Sequence, residues 1–238
     1  HLVRAARIAR ALAEAGFETH LANGGGRIAP SELGRATLHA LPAMRASDPG
    51  FTRLVDAEGR PIDDAFRARR RDALLALFAR IAPQVLITEL FPFGRRQCRF
   101  ELLPLLDAAQ ASRPLIVCSL RDILQSARKP GRAEETLALL RARYDLVLVH
   151  GDPTVATLDA SFPPAAEIAE HTRYTGYVAP EAPSAPVPPS GEIVISAGGS
   201  GVGLPLLRAA LRARELSAHK DRTWRILLGG GIDPADAS

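Results

Sequence analysis

Apolar residues recur along this 238-residue chain in two alternating rhythms, and the alternation predicts the architecture. Between 2 and 15, Leu2, Ala5, Ala6, Ile8, Ala9 and Leu12 fall at helical spacing with Arg4, Arg7 and Arg10 on another face, and Gly16 supplies a stop. A short strand over 17–22 follows, closed by the turn Asn23-Gly24-Gly25-Gly26. A second strand is expected over 37–41, and then an excursion over 42–61, rich in Asp, Gly and Arg, that is long enough to carry function. The pattern next predicts a helix over 63–81, a strand over 84–88, a helix over 95–110 bent or interrupted at Pro104, and a strand over 115–120. A helix over 132–144 and a strand over 146–149 continue it, and 153–169, broken by Pro163-Pro164, precedes a strand expected over 174–178.

Strands that read as continuous apolar runs, each followed by a helix, imply a parallel sheet covered on both faces and joined by right-handed crossovers. The fold class is therefore α/β and doubly wound, with a first Rossmann-like domain over 1–178. Pro180, Pro183, Pro186, Pro188 and Pro189 make 179–190 an extended, semi-rigid linker. A second Rossmann-like unit opens at 191, with a strand over 192–197, a glycine loop over 198–203, a helix over 204–216 and a strand over 224–228. The chain opens at His1 directly in a helix and closes at Ser238 just after a glycine-rich turn, so it reads as a fragment whose second domain is truncated.

Composition narrows the class. Hydrophobic residues make up 47% and charged residues 24%, as in soluble folded proteins, and no apolar run approaches the ~20 residues of a membrane span. The net charge of +4 comes from arginine, since Lys129 and Lys220 are the only lysines. Arg67, Arg69, Arg70 and Arg71 sit among Asp63, Asp64 and Asp72 on what reads as a solvated helix face, without interleaved aromatics, so nucleic acid is not an expected partner. Cys98, in a helix, and Cys118, in a buried strand, read as free thiols of a reducing cytoplasm. His20, His39, His171 and His219 share no ligand spacing with each other or with the cysteines, so no metal site is expected.

The candidate chemistry lies where strands end. Gly198, Gly199, Ser200 and Gly201, between a strand and a helix, either cradle phosphate with backbone N–H groups or simply make a tight turn. Neither a G-x-G-x-x-G fingerprint nor a Walker loop is present there. Glu89 ends the 84–88 strand ahead of Leu90-Phe91-Pro92-Phe93-Gly94, and is either a cleft-facing acid or a carboxylate paired with Arg95, Arg96 or Arg99. The 90–93 loop either packs inward or touches a lipid. Arg121 and Asp122 follow one strand and His150 and Asp152 another, so three successive strand ends present polar groups to one edge, although both aspartates are equally at home as helix caps. His1, at the start of a helix on that edge, is either a general base or an ordinary terminal residue.

Several strings resemble a known family. The segment His1-Leu2-Val3-Arg4-Ala5-Ala6-Arg7-Ile8-Ala9-Arg10-Ala11-Leu12 is similar to the stretch after the first glycine loop of MurG-like glycosyltransferases, and Gly198-Gly199-Ser200 after a proline-rich linker to the loop opening their donor domain. Leu86-Ile87-Thr88-Glu89-Leu90-Phe91-Pro92-Phe93-Gly94-Arg95-Arg96-Gln97, Ser119-Leu120-Arg121-Asp122-Ile123-Leu124 and Val149-His150-Gly151-Asp152-Pro153 resemble a bacterial group of predicted glycosyltransferases related to MurG. The resemblance implies a GT-B architecture of two Rossmann-like domains. It implies metal-independent transfer of a sugar from a nucleotide-diphosphate sugar, as co-substrate rather than cofactor, to a hydroxyl of a small-molecule or lipid-linked acceptor. His1 would be the acceptor-side base with Glu89 as second candidate, and Gly198, Gly199, Ser200 and Gly201 would hold the diphosphate. Such an enzyme is expected in the cytoplasm, at most peripheral to the inner face of the membrane, and this piece alone would be inactive or nearly so. A sugar-nucleotide epimerase of the same fold, and a non-catalytic sugar-nucleotide or lipid-binding module, are the alternatives.

Overall fold

A computed structural model describes residues 2–26, 28–47, 53–124, 130–180, 188, 190–197 and 203–228. The chain divides into two compact units, His1–Pro180 and Glu181–Ser238. The expected linker falls mostly outside the described residues.

The first unit is α/β. Helix α1 (Leu2–Glu14) buries Ala6, Ala9 and Ala13, small side chains on one stripe that let it lie close to its neighbours. Strand β1 (His20–Asn23), the four-residue helix α2 (Pro30–Leu33) and strand β2 (Thr37–Ala40) follow, and β1 and β2 pair in parallel from His20 against Thr37 to Asn23 against Ala40. The excursion after β2 holds an antiparallel ribbon of β3 (Arg45–Ala46) and β4 (Leu54–Val55) that the hydrophobic pattern did not predict, because two-residue strands are too short to set a period.

Helix α3 (Asp64–Ile81) starts where Asp63 accepts a hydrogen bond from the Phe66 amide at 2.7 Å, which meets one of the orphan donors of its first turn. Strand β5 (Val85–Glu89), helix α4 (Arg99–Ser112), strand β6 (Leu115–Arg121), helix α5 (Arg132–Arg143), strand β7 (Leu146–His150) and strand β8 (Thr172–Tyr174) complete the unit. The four strands make one parallel sheet in the order β5-β6-β7-β8, flanked by helices. Helix α4 begins later than the apolar pattern suggests, because Arg95 adopts a left-handed conformation and a 3₁₀ turn over Arg96–Cys98 precedes it; Pro104 lies inside it without ending it. Strand β8 lies earlier than expected, because Gly176 at φ 74° turns the chain out of the sheet.

The core packs Leu74 and Phe78 of α3, Leu105, Leu106 and Ala109 of α4 and Leu137 and Leu140 of α5 against Ile116, Cys118, Leu120, Val147 and Val149 of the sheet. All of Ile116, Val117, Cys118, Ser119 and Leu120 are buried, as a strand covered on both faces requires. Strand β5 departs from that reading: Val85 and Ile87 are 47% and 37% exposed, since β5 is an edge of this sheet among the described residues. Phe91 is buried and Phe93 stacks edge-on against Phe162 with centroids 4.9 Å apart, so the 90–93 loop packs inward. Both cysteines are free and buried, and burial together with Glu101 pushes the Cys98 thiol up to about 11.

Arg70 overturns one expectation. It does not lie on a solvated face but points inward from α3, and its guanidinium meets Glu101 of α4 at 2.6 and 3.1 Å. It also donates to the carbonyls of Gly24 and Pro42, so one cation ties α3 to α4 and to the chain leaving β1 and β2. A Cβ on Gly24 would come within 1.9 Å of that guanidinium, which explains a glycine there.

In the second unit β9 (Ile193–Ser196), helix α6 (Leu204–Leu216) and β10 (Trp224–Leu227) form a strand-helix-strand unit with a parallel pair, Ile193 opposite Trp224. Arg225 grips Glu192 with bonds of 2.6 and 2.7 Å across the strand starts.

Removing one member of a buried ion pair leaves the other charged and unsolvated. Arg70→Met is expected to destabilise the protein by about 3–5 kcal/mol, and Arg70→Met with Glu101→Leu to recover most of that loss. Urea denaturation checks it; a single variant as stable as wild type would contradict the burial described.

Candidate functional site at the carboxyl edge of the sheet

Parallel strands place their carboxyl ends along one edge, and side-chain parity then decides what meets there. Glu89, the last residue of β5, is the register partner of Ser119 in β6. His150, the last residue of β7, is the partner of Arg121, two residues beyond Ser119 and therefore on the same face. Thr175 follows β8, its amide bonded to the Val149 carbonyl at 3.0 Å, which sets it beside His150. Glu89, Ser119 and His150, from three successive strands, and Thr175, just past the end of the fourth, thus meet on one face.

They are joined end to end. Arg4, from the first turn of α1, forms an ion pair with Glu89 Oε1. Ser119 Oγ lies 3.0 Å from Glu89 Oε2 and 2.9 Å from His150 Nε2, and His150 Nδ1 lies 2.7 Å from Thr175 Oγ1. Proton counting fixes the directions. A carboxylate only accepts, so the single Ser119 proton points at Glu89, and the Ser119 oxygen takes the N–H of His150 Nε2. A neutral imidazole then has its lone pair at Nδ1, and Thr175 donates to it. The reverse arrangement, in which Thr175 donates to the Gly176 carbonyl at 3.2 Å, would leave two oxygens 3.0 Å apart at Ser119 and Glu89 with no proton between them.

Burial disfavours the imidazolium and Arg4 adds repulsion, with Glu89 opposing, so His150 is held below its ordinary 6.5. Ser119 and His150 are 2% and 6% exposed, whereas the Glu89 and Arg4 side chains keep 20% and 17% and Thr175 is exposed, so the chain is buried in its middle and open to a ligand at both ends, the carboxylate among them. Because Nε2 is a donor, His150 cannot take the Ser119 proton, and the group is not a serine nucleophile with its base. It is a carboxylate held in one orientation by a cation and a hydroxyl, able to accept a proton or hydrogen bond from an incoming hydroxyl.

The remaining expected residues divide. Arg121 is exposed and Asp122 half-buried, and among the described residues no hydrogen bond connects either to this chain. Asp122 packs against Gly151, where an added Cβ would lie 2.5 Å from the Asp122 Cβ. Asp152 accepts from the Thr154 amide at 2.8 Å and hydroxyl at 2.7 Å, which lowers its pKa and closes the turn after β7, so it serves as a local cap. Glu89 is ion-paired, though with Arg4 rather than a neighbouring arginine; Arg96 and Arg99 instead hold Glu135 of α5. His1 and Gly198, Gly199, Ser200 and Gly201, the residues expected to hold phosphate, lie outside the described residues.

Arg4, Ser119 and Thr175 escaped the sequence reading. Parity with Arg121 was the available signal for Ser119, while the shifted strand end hid Thr175 and 85 residues separate Arg4 from Glu89. Among the described residues no group of three or more His, Cys, Asp and Glu side chains could hold a metal ion. His20 and His39, unrelated by spacing, do meet, with Nδ1 and Nε2 2.9 Å apart on adjacent strands, and His39 is lowered by burial, His20 and Arg80.

A histidine with a lowered folded pKa binds its proton more weakly than in the unfolded chain. Its share of stability is therefore whole above about pH 6.5 and is lost as pH falls from there through the lowered folded value. His150→Gln keeps a donor toward Ser119 but cannot titrate, so the difference in stability between wild type and variant is expected to shrink with acidification. Denaturant titrations from pH 8 to pH 5 read it, and a difference that widens on acidification would mean that His150 gains, rather than loses, proton affinity on folding.

No protein family, curated protein or solved structure matches the chain.

Proposed function

We propose that the chain carries the acceptor-side half of a GT-B glycosyltransferase, a Rossmann-like domain over 1–178, a linker over 179–190 and the opening of a donor domain from 191 onward. The observation that carries this reading is the oriented Glu89 carboxylate at the carboxyl edge of a parallel sheet, where open α/β folds bind their ligands. The parallel β9-α6-β10 unit supports it too, because residues 198–203 connect β9 to α6, and a glycine-rich strand-to-helix turn suits a diphosphate.

In the proposed reaction an acceptor hydroxyl gives its proton to Glu89 as its oxygen attacks the anomeric carbon of the donor sugar. The bond from that carbon to the diphosphate breaks, and the departing negative charge is taken up by the N–H groups of Gly198, Gly199, Ser200 and Gly201. Arg4 holds Glu89 Oε1 and Ser119 holds Oε2, so both orient the base without consuming it. His1, three residues before Arg4 along the chain, is the second candidate for the same proton. Arg121 and Asp122 stand at the next strand end and would line the acceptor cleft, with His150 behind Ser119 and Asp152 shaping the turn.

With the intact protein, a nucleotide sugar and acceptor, free nucleoside diphosphate is expected only when both substrates are present. Glu89→Gln is expected to lower kcat by about a hundredfold or more. Isomerised sugar nucleotide without release of diphosphate would point to epimerisation instead, and undiminished transfer by the variant would remove Glu89 as base.

A further inference from the structure

We propose that the groove between β2 and α3 binds a short-chain carboxylate, its charge held between Arg80 and His39 and its hydrocarbon laid on the groove's apolar walls. Nothing in this site depends on the sugar-transfer reading.

The groove offers about 300 Å³, the small end of the range for ligand sites. Leu38 and Leu41 of β2 and Ala73, Ala76 and Leu77 of α3 form its walls, and among the described residues His39 and Arg80 are its only polar side chains. Arg80 stands in the last turn of α3. The partial negative charge of a helix end suits a cation there, yet among the described residues no hydrogen bond or ion pair engages the five N–H groups of this guanidinium.

His39 meets Arg80 from the other wall. Its Nε2 lies 2.9 Å from His20 Nδ1, and His20 Nε2 lies 3.1 Å from Glu18 Oε1. A carboxylate accepts, so His20 donates to Glu18 and accepts from His39. A neutral His39 then keeps its lone pair at Nδ1, which has no hydrogen-bond partner among the described residues. Burial, His20 on β1 and Arg80 on α3 all disfavour an added proton at that position. An uncompensated cation thus faces a histidine that it keeps from charging, across a groove that no carboxylate lines. One bound carboxylate relieves both conditions. It takes parallel N–H bonds from the guanidinium fork, and by offsetting the repulsion it lets His39 gain a proton and donate from Nδ1. Inorganic phosphate would bring the charge but leave the exposed Leu38 and the rest of the apolar wall in water. Because the proton enters with the anion, affinity rises as pH falls toward the ordinary 6.5 of histidine, and levels off once free His39 is itself protonated.

An NMR titration of the intact protein with sodium hexanoate tests this, with inorganic phosphate and 1-hexanol as probes that each carry half of the ligand's chemistry. Hexanoate is expected to shift His39 and Ala76 saturably, to bind about tenfold or more tighter than either half-probe, and to bind more tightly at pH 6 than at pH 8. Arg80 is exposed, so Arg80→Gln spares the fold. That variant is expected to weaken hexanoate about tenfold and to raise the titration midpoint of free His39, with Arg80→Lys retaining most of the affinity. His39→Gln is expected to abolish the pH dependence. Phosphate binding as tightly as hexanoate overturns the role of the apolar walls, and hexanol binding as tightly overturns the role of the charges. An affinity that does not change with pH in wild type removes His39 from the site, and no saturable shift with any probe overturns the proposal.

Discussion

A carboxylate has lone pairs to offer and no proton, and at the carboxyl edge of this sheet that asymmetry orders everything attached to it. With Arg4 on one oxygen of Glu89, the other oxygen can take the hydroxyl of Ser119 only as an acceptor. Each later group then has one role left: Ser119 accepts from His150, and His150 accepts from Thr175. A change of charge at Glu89 would reach Thr175, three side chains away, without any atom moving far, because hydrogen bonds in a low-dielectric interior reinforce or frustrate one another as a set.

The chain exists only because four strands are parallel and in register. Had β6 slipped by one residue, Ser119 would turn into the apolar core, Cys118 and Leu120 would turn out of it, and Glu89 would lose its hydroxyl. The register is in turn held by the core on the opposite face, while the buried guanidinium of Arg70 ties α3 and α4 to the chain beyond β1 and β2. A buried ion pair contributes little net stability against an apolar replacement, but it admits few alternative arrangements. Here its geometry joins α3 and α4 to the turns that follow β1 and β2.

Much of this was legible in the order of residues. Continuous apolar runs over β5, β6 and β7, and the long helical stretch of α3, are local signals, and they placed those elements within a few residues. Glu89 and His150 were legible as strand-end polar groups for the same reason. Arg4, Ser119 and Thr175 were not, since their significance comes from distant partners: a serine within a buried strand looks like any small residue until a carboxylate and an imidazole stand beside it. Arg70 was misread because a run of arginines among aspartates has the composition of a solvated face, and only the position of Glu101, 31 residues on, reverses that. Asp152 turned out to serve its own turn, which is the commoner use of an aspartate after a strand.

The contact between Gly151 and Asp122 ties together two turns that hydrogen bonds leave separate. With no room for a methyl group between them, the turn after β7 and the turn after β6 mesh like adjacent gear teeth. Any relative that carries a side chain at the position of Gly151 must give up volume at the position of Asp122 or spread the two strand ends, and spreading them would pull His150 off Ser119. The two positions should therefore vary together across homologous sequences, with the smaller residue free to sit on either side of the seam.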